Sequence, residues 1–237
     1  MNQKYLYLIV DLTAISLPFI FSFHPKANFS KKWKYLWPAI LLPAIFFLIW
    51  DEWFTRMGVW GFNREYLTGI YVFSLPIEEI LFFICIPYAC VFTYEAVGYF
   101  SKKNYVERFA PSITLTLGVL LFVIAGLNFE KWYTSSAFFL CSIFLFYLRF
   151  VLKPSYLGKF YSTFLFILIP FFMVNGILTG TGLENPIVWY NDAENIGIRM
   201  GTIPIEDTFY GMLLLLINVV IFESLQIKKN QSVQQKS

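Results

Sequence analysis

The stretch LPIEEILFFICIPYACVF, residues 75–92, sets two adjacent acids, Glu78 and Glu79, directly before a run of side chains that carries no charge. Proline followed by acids is typical of a helix start, because proline suits the first turn and acids suit the positive end of the helix dipole. A helix over about 76–99 is longer than the roughly 20 residues that are needed to cross the hydrocarbon layer of a membrane. The stretch therefore predicts a transmembrane helix that begins beside two carboxyl groups.

The chain as a whole is also rich in apolar residues and poor in charged ones. Of its 237 residues, 58% are hydrophobic and 14% are charged, whereas soluble domains have about 45–50% and about 25%. The apolar residues come in long runs rather than in alternation, which favours membrane helices over a membrane barrel and excludes a soluble enzyme. We predict an all-α membrane protein with seven transmembrane helices, over about 4–23, 36–54, 76–99, 109–127, 133–152, 160–179 and 204–225.

The basic residues indicate how the chain lies in the membrane. They concentrate in the first, third and fifth loops and near the C-terminus, so the positive-inside tendency predicts a multi-pass protein of the cell membrane with its N-terminus outside and its C-terminus cytoplasmic. The net charge is +3 and no basic cluster is longer than Lys31-Lys32 or Lys102-Lys103. We therefore expect membrane lipid, and not nucleic acid, as a partner. The three cysteines have no spacing suited to a disulfide framework or a zinc site, and we expect no metal.

A second copy of the acidic helix start lies in the second half of the chain. The two copies share an aromatic-Asn pair and then, at the same spacing, a Pro-Ile-acid-acid motif: Phe62-Asn63 with Tyr190-Asn191, and Pro76–Glu79 with Pro204–Asp207. We interpret the match as an internal duplication, because proline, asparagine and acids are scarce in this chain. It predicts two parallel three-helix repeats, 1–104 and 131–227, joined by a linker transmembrane helix in 105–130, with a disordered tail in 228–237.

The repeated acids are the main candidates for function. One Pro-Ile-Glu-Glu motif is fully explained as a helix start, but that explanation does not account for two copies at the same membrane face. Ionisable groups at membrane depth are costly and mark functional sites by default. Desolvation and like charge would let at least one of these carboxyl groups keep its proton and act as an acid. The predicted catalytic residues are Glu78, Glu79, Glu206 and Asp207.

Other residues near the same face could bind a substrate or support these acids. The chain has 28 Phe, 15 Tyr and 7 Trp, many of which fit the aromatic belts of a membrane protein. Aromatic faces can also stabilise a carbocation, by about 0.5–2 kcal/mol each. The repeated loop asparagines could equally serve to close their loops. The candidates for substrate binding or support are Asp51, Glu52, Arg56, Trp60, Asn63, Trp189 and Asn191.

The two helix starts, each preceded by an aromatic-Asn loop, resemble the repeated signature of the integral-membrane, non-flavin lycopene cyclase family in its fused two-repeat form. The resemblance implies a redox-neutral cyclisation of the linear ψ-ends of lycopene to β-ionone rings, which gives β-carotene. By similarity the four acids would supply the acid that protonates the terminal double bond and the base that removes a ring proton. One site fed by both halves is the preferred arrangement. No G-x-G-x-x-G motif follows a strand, so we expect no dinucleotide cofactor.

Three alternatives remain open. The substrate could be a different or longer carotenoid, which would be an apolar polyene like lycopene. The chain could be a proton-coupled transporter of small solutes, because repeats about an axis along the membrane normal with buried acids would suit proton coupling. It could also be a carotenoid-binding membrane protein without catalysis. The sequence does not decide which acid is the base, whether one or both substrate ends are cyclised, or the oligomeric state.

Overall fold

The computed structural model describes residues 3–100 and 106–234 of the chain. In those residues it contains seven helices that are long and apolar enough to cross a membrane, so the predicted all-α, multi-pass membrane fold is confirmed. The helices are α1 (Leu6–Phe21), α2 (Trp33–Met57), α3 (Ile77–Phe100), α4 (Ala110–Leu127), α5 (Trp132–Phe146), α6 (Leu157–Leu178) and α7 (Ile205–Gln234). A π-helical segment, Tyr147–Leu152, continues α5.

Most helix ends agree with the predicted bounds to within a few residues, but the tail does not. The last helix continues to Gln234, so the prediction of a disordered tail from residue 228 is wrong for 228–234, and 235–237 lie outside the described residues. The reason is local, because no proline or glycine follows Gly211 to end the helix. By contrast, α2 ends at Gly58, whose φ of 72° caps the helix in the left-handed conformation that glycine favours.

The helices pack as one bundle. Helix α1 lies against α3, α2 lies against α7 and α3, and α5 lies against α7 and α4. The main apolar core lies between α2 and helices α4 to α7, and buried residues of α3 such as Phe83 contribute to it. The starts of α3 and α7 consequently meet in the interior at one end of the bundle, which we call the acid end.

Short strands in the loops at the acid end were not predicted. Strand β1 (Trp60–Phe62) follows α2, and it pairs antiparallel with β4 (Val188–Tyr190), which follows α6. Two hairpins lead into the acidic helices: β2 (Tyr71–Val72) with β3 (Leu75–Pro76), and β5 (Arg199–Met200) with β6 (Ile203–Pro204). The hairpins fix the chain direction just before α3 and α7, and the β1–β4 pair joins the two long loops.

Backbone hydrogen bonds around these strands recur in the two halves, at matching positions of the repeated motif. Two pairs of bonds are related in this way: Ile77 N–H to Ile70 O (2.9 Å) with Ile205 N–H to Ile198 O (3.0 Å), and Asn63 N–H to Ile187 O (2.8 Å) with Asn191 N–H to Val59 O (2.9 Å). The second pair is reciprocal, because each loop donates to the other. The two-repeat arrangement with a linker helix stays a prediction, and these contacts support it.

Candidate active site

The four predicted acids lie in the first turns of α3 and α7, where both helices are shielded from solvent. Glu78 and Glu206 are 0% exposed, Glu79 is 8% exposed and Asp207 is 6% exposed. Each proline of the motif ends a hairpin strand, and the next residue begins the helix. The hairpins therefore aim two adjacent acids from each half into the same buried region.

Glu78 and Glu206 make the same contact with their own loops. The Oε1 atom of Glu78 accepts a hydrogen bond from the backbone N–H of Thr68 at 2.7 Å, and that of Glu206 accepts from Ile196 at 2.8 Å. Glu206 Oε1 also accepts from the Thr134 hydroxyl at 2.6 Å. These two acids tie a loop to the start of the helix that follows it.

Glu79 and Asp207 are instead held by tyrosines. They are electrostatic neighbours across the boundary between the two halves. The Tyr7 hydroxyl donates to Glu79 Oε2 at 2.5 Å. Asp207 accepts two such bonds, one on each oxygen, from Tyr133 at 2.5 Å and from Tyr190 at 3.0 Å. Asp207 thus accepts two tyrosine hydroxyls, whereas Glu79 accepts one.

The loop tyrosine that contacts Asp207 keeps its proton. Burial, together with the neighbouring Asp207 carboxyl, raises the pKa of Tyr190 well above the ordinary tyrosine value. Its phenol therefore remains an O–H donor throughout the working pH range of a protein.

Asp51 of α2 completes the group. Its Oδ1 accepts a hydrogen bond from Trp60 Nε1 at 2.5 Å, and its carboxyl lies within hydrogen-bonding reach of Glu79. Two carboxyl groups this close share a proton, because like charges cannot both persist there. The Tyr210 phenol is an electrostatic neighbour of Asp51, Glu79 and Asp207 together. We call Asp51, Glu79 and Asp207 the central carboxyl group.

Aromatic rings surround the central carboxyl group. The Tyr210 ring centroid lies 5.0 Å from those of both Phe47 and Trp50, and the Trp60 centroid lies 5.0 Å from that of Tyr133. Tyr133 stacks on Tyr190 at 5.7 Å. The aromatic wall, as we define it, consists of Phe47, Trp50, Phe54, Trp60, Tyr133, Tyr190 and Tyr210. Such a wall has the faces that stabilise positive charge in an apolar setting.

Other predicted supporting residues lie away from the central carboxyl group. Glu52 pairs with Arg56 at 2.5 Å and accepts from the backbone N–H of Ser74 at 3.0 Å, so this pair holds the β2–β3 turn. Trp189 is 42% exposed and covers the backbone of Gly61. The loop asparagines each accept from a backbone N–H two residues ahead, from Glu65 for Asn63 and from Ala193 for Asn191. Among the seven supporting candidates, Asp51 and Trp60 reach the centre.

Several residues of the site were not predicted. Tyr7, Tyr133 and Tyr210 gave no signal, because the chain has 15 tyrosines and most fit an interfacial belt equally well. Tyr190 stood out only as the aromatic residue of the repeated aromatic-Asn pair. Asp11 did give a signal that was missed. It is an acid inside the first apolar run, and such intramembrane acids mark functional sites by default. In the structure it is 0% exposed and neighbours Glu78 and Glu79.

In the described part of the chain, no group of three His, Cys, Asp or Glu side chains could hold a metal ion. The expectation that the protein uses no metal and no cofactor stays a prediction.

The chain is similar in sequence to known proteins. The family described as Lycopene cyclase matches residues 4–97 and 130–225, which make up most of the chain. The chain belongs to the lycopene cyclase family. All the acids and tyrosines of the site lie within the two matched segments, and the whole of α4 lies between them.

Individual members of the lycopene cyclase family match shorter segments. The "Bifunctional lycopene cyclase/phytoene synthase" of Phycomyces blakesleeanus is 40% identical over 63 residues, which are 26% of this chain and 10% of that protein. The "Lycopene beta-cyclase" of Halobacterium salinarum is 40% identical over 58 residues, which are 22% of this chain and 24% of that protein. Each match thus covers a minor part of the relative's length. No solved structure matches the chain significantly.

Proposed function

We propose that this protein is a carotenoid cyclase that converts the linear ψ-ends of lycopene to β-ionone rings, with no net redox change, and so produces β-carotene. The observation that carries the proposal is the central carboxyl group, in which Glu79 and Asp207 are electrostatic neighbours beside an aromatic wall. Family membership and the names of the two relatives support the same chemistry. The substrate partner is an apolar polyene, which suits a site that membrane helices enclose.

The hydrogen bonds of the two acids favour one assignment of roles. Asp207 receives an O–H donor on each oxygen, and donors stabilise the charged form of a carboxyl group, so Asp207 is the base. Glu79 accepts one tyrosine hydroxyl and lies within hydrogen-bonding reach of Asp51, a buried carboxyl that can pass it a proton, so we assign Glu79 as the acid. Glu79 protonates the terminal double bond, the internal double bond attacks the cation and closes the ring, and Asp207 then removes a ring proton. Acid and base come from different halves, which favours one shared site.

The aromatic wall contributes to the same reaction. Ring faces attract a cation through their quadrupole, by about 0.5–2 kcal/mol for each ring that lies over the charge. Tyr210 is an electrostatic neighbour of both acids, and its ring contacts those of Trp50 and Trp60. They would lower the energy of the cation between its formation at Glu79 and its quenching at Asp207.

Expression in a lycopene-accumulating bacterial host tests the activity. Pigments are separated by chromatography, and β-carotene is the expected product of the wild type. Good expression in the membrane with unchanged lycopene would contradict the proposal, and lycopene that co-purifies unchanged would indicate a binding protein. Preferential conversion of another supplied carotenoid would show that lycopene is not the preferred substrate.

Matched variants test the roles of the acids. Glu79→Gln and Asp207→Asn should each lower product formation at least about 100-fold, the lower range for general acid–base catalysis. Glu78→Gln and Glu206→Gln should keep most of the activity, because the amide oxygen still accepts the loop N–H. Equal losses in all four variants would contradict the division into two proton-transferring acids and two loop-binding acids.

We also propose that the protein lies in the cell membrane with its C-terminus in the cytoplasm, on the basis of the uneven distribution of lysine and arginine. Reporters fused to the C-terminus that are active on only one side of the membrane test this orientation. A reporter that is active in the periplasm would reverse it and would set the acid end on the cytoplasmic side.

A further inference from the structure

Asp11 is a buried acid that the proposed reaction does not yet use. It lies on α1, one helical turn after Tyr7, on the side of the helix that packs against α3. Its side chain is 0% exposed, and neither of its carboxyl oxygens has a hydrogen-bond partner among the described residues. A charged carboxyl without donors is very costly in an apolar interior. Asp11 is therefore held in its neutral form, with a proton to give.

The neighbours of Asp11 identify the group that can take this proton. They are Glu78 and Glu79 at the start of α3, and of these Glu79 is the acid of the proposed reaction. Tyr7 links the same two elements, because it lies on α1 and donates to Glu79. In the second half, Tyr133 of α5 makes the contact to Asp207 that Tyr7 makes to Glu79, and the residue one turn after Tyr133 is Ala137, so α5 sets no acid in the corresponding place. Asp11 is therefore an additional carboxyl group beside Glu79, the proposed proton donor, and not beside Asp207.

We propose that Asp11 is a positioning residue for proton transfer, which hands its proton to Glu79 once Glu79 has protonated the substrate. This inference rests on the cyclase function proposed above. The Glu79 proton goes to the terminal carbon–carbon double bond, and the Asp11 proton then goes to the Glu79 carboxylate. After ring closure, Asp207 takes one ring proton. Glu79 then returns a proton to Asp11, and Asp207 passes the ring proton to Glu79, its electrostatic neighbour, so no proton is gained or lost in a cycle.

The proton that Glu79 receives from Asp11 would prevent the back reaction. A Glu79 carboxylate beside the new cation could take a proton back from the same carbon and regenerate the substrate. Neutralising Glu79 leaves Asp207 as the base beside the cation. Asp11 would thus commit the cation to ring closure rather than to reversal.

The deuterium that appears in recovered lycopene measures how often the cation reverts to substrate instead of closing the ring. Membranes with the full-length protein and lycopene are incubated in D₂O, and mass spectrometry compares the deuterium in recovered lycopene with the amount of β-ring formed. Wild type should return little deuterium. Asp11→Asn and Asp11→Ser, which cannot hold an acidic proton, should form rings more slowly and should raise the ratio of deuterium returned to ring formed severalfold.

Two controls separate this role from a structural one. Asp11→Glu restores an acid and should bring the ratio back toward the wild-type value. Thr163→Val removes another buried polar atom that has no partner among the described residues, and it should leave the ratio unchanged. Slower ring formation in the Asn and Ser variants with an unchanged ratio, or a wild-type rate and ratio in either, would overturn the proposal. A wild type that forms no ring would instead refute the cyclase function itself.

Discussion

Asp207 owes its two hydrogen bonds to residues from different elements. Tyr133 lies at the start of α5 and Tyr190 lies in β4, and their rings stack on each other at 5.7 Å. The stacking fixes both hydroxyl groups toward one carboxyl. The pair therefore gives Asp207 two O–H donors, which neither residue could provide alone.

Removing either hydroxyl should leave less of Asp207 in the charged form that accepts the ring proton. A hydrogen bond to a charged group contributes about 1.5–3 kcal/mol, so Tyr133→Phe and Tyr190→Phe should each slow ring formation about tenfold or more. Rates at equal protein level in membranes provide the measurement. Tyr147→Phe, at a half-exposed position outside the site, is the control. If both site variants matched that control, the hydroxyl groups would have no part in the reaction.

The sequence predicted the acids of the site better than their hydrogen-bond donors. Acids are scarce in this chain, so two adjacent ones at a helix start stand out, and their repetition in the second half strengthens the signal. Tyrosine is abundant, and nothing in the sequence separates Tyr133 from a tyrosine of the interfacial belt. The sequence also could not predict that Glu78 binds its loop while Glu79 lies in the central carboxyl group. That difference depends on which side of the helix the loop N–H groups approach.

At the scale of elements, the β1–β4 pair brings the two halves together. Trp60 of β1 pairs with Tyr190 of β4, and both reach the central carboxyl group. At the middle of the pair, Gly61 lies opposite Trp189. A Cβ atom added to Gly61 would lie 2.3 Å from Cζ2 of the Trp189 ring, which is closer than atoms can approach.

Gly61→Ala should therefore disturb the pair. The Trp189 ring must move from its place over β1, at a cost of about 1–3 kcal/mol, the usual range for overpacking. We expect a lower midpoint of thermal unfolding in detergent and slower ring formation. Gly126→Ala is the matched control, since an added Cβ there meets nothing within 4 Å. A Gly61→Ala protein as stable and active as the control would show that the pair tolerates displacement.

These strands could not be predicted from the sequence. Strands of two or three residues are too short to show the alternation that marks a strand. Their partners are also remote, since Trp60 lies in the first half of the chain and Tyr190 in the second. The helices were predictable for the opposite reason, because each is a local run of apolar residues.

At the scale of the molecule, charged residues gather a second time at the other end of the bundle. Lys159 Nζ lies 3.6 Å from Glu95 Oε1 and 3.7 Å from Glu223 Oε1, and it also lies 3.6 Å from the centroid of the Tyr94 ring. Lys32 pairs with Glu95 as well. The charged residues of this group line a cavity of about 400 Å³. Glu95 and Glu223 lie on α3 and α7, so Lys159 bridges the two halves far from the proposed chemistry.

Lys159→Met should lower stability and leave the reaction unchanged. We expect the free energy of unfolding in detergent to fall by about 1 kcal/mol, as for a partly exposed ion pair combined with a cation–π contact. Ring formation per folded molecule should stay at the wild-type level. Lys228→Met, an exposed lysine near the same end of α7, serves as the comparison. A fall in turnover without a fall in stability would show that this end takes part in catalysis.

The number of helices was predictable from composition, whereas the pairs of helices that pack against each other were not. Apolar side chains face both lipid and protein in a membrane bundle, so hydrophobicity does not tell which faces meet. The contact of α1 with α3, which sets Asp11 beside Glu79, follows from packing that the sequence does not express.

The pairing of β1 with β4 also bears on what the reaction can produce. A carbocation that meets a water molecule becomes a tertiary alcohol instead of a ring, so a cyclase must keep its intermediate dry. The paired strands carry Trp60 and Tyr190, whose side chains hydrogen-bond to Asp51 and Asp207. Separation of the two strands during the lifetime of the cation would admit water and release hydroxylated, acyclic carotenoids. The fidelity of the product would therefore depend on three residue pairs in two loops as much as on the acids that start the reaction.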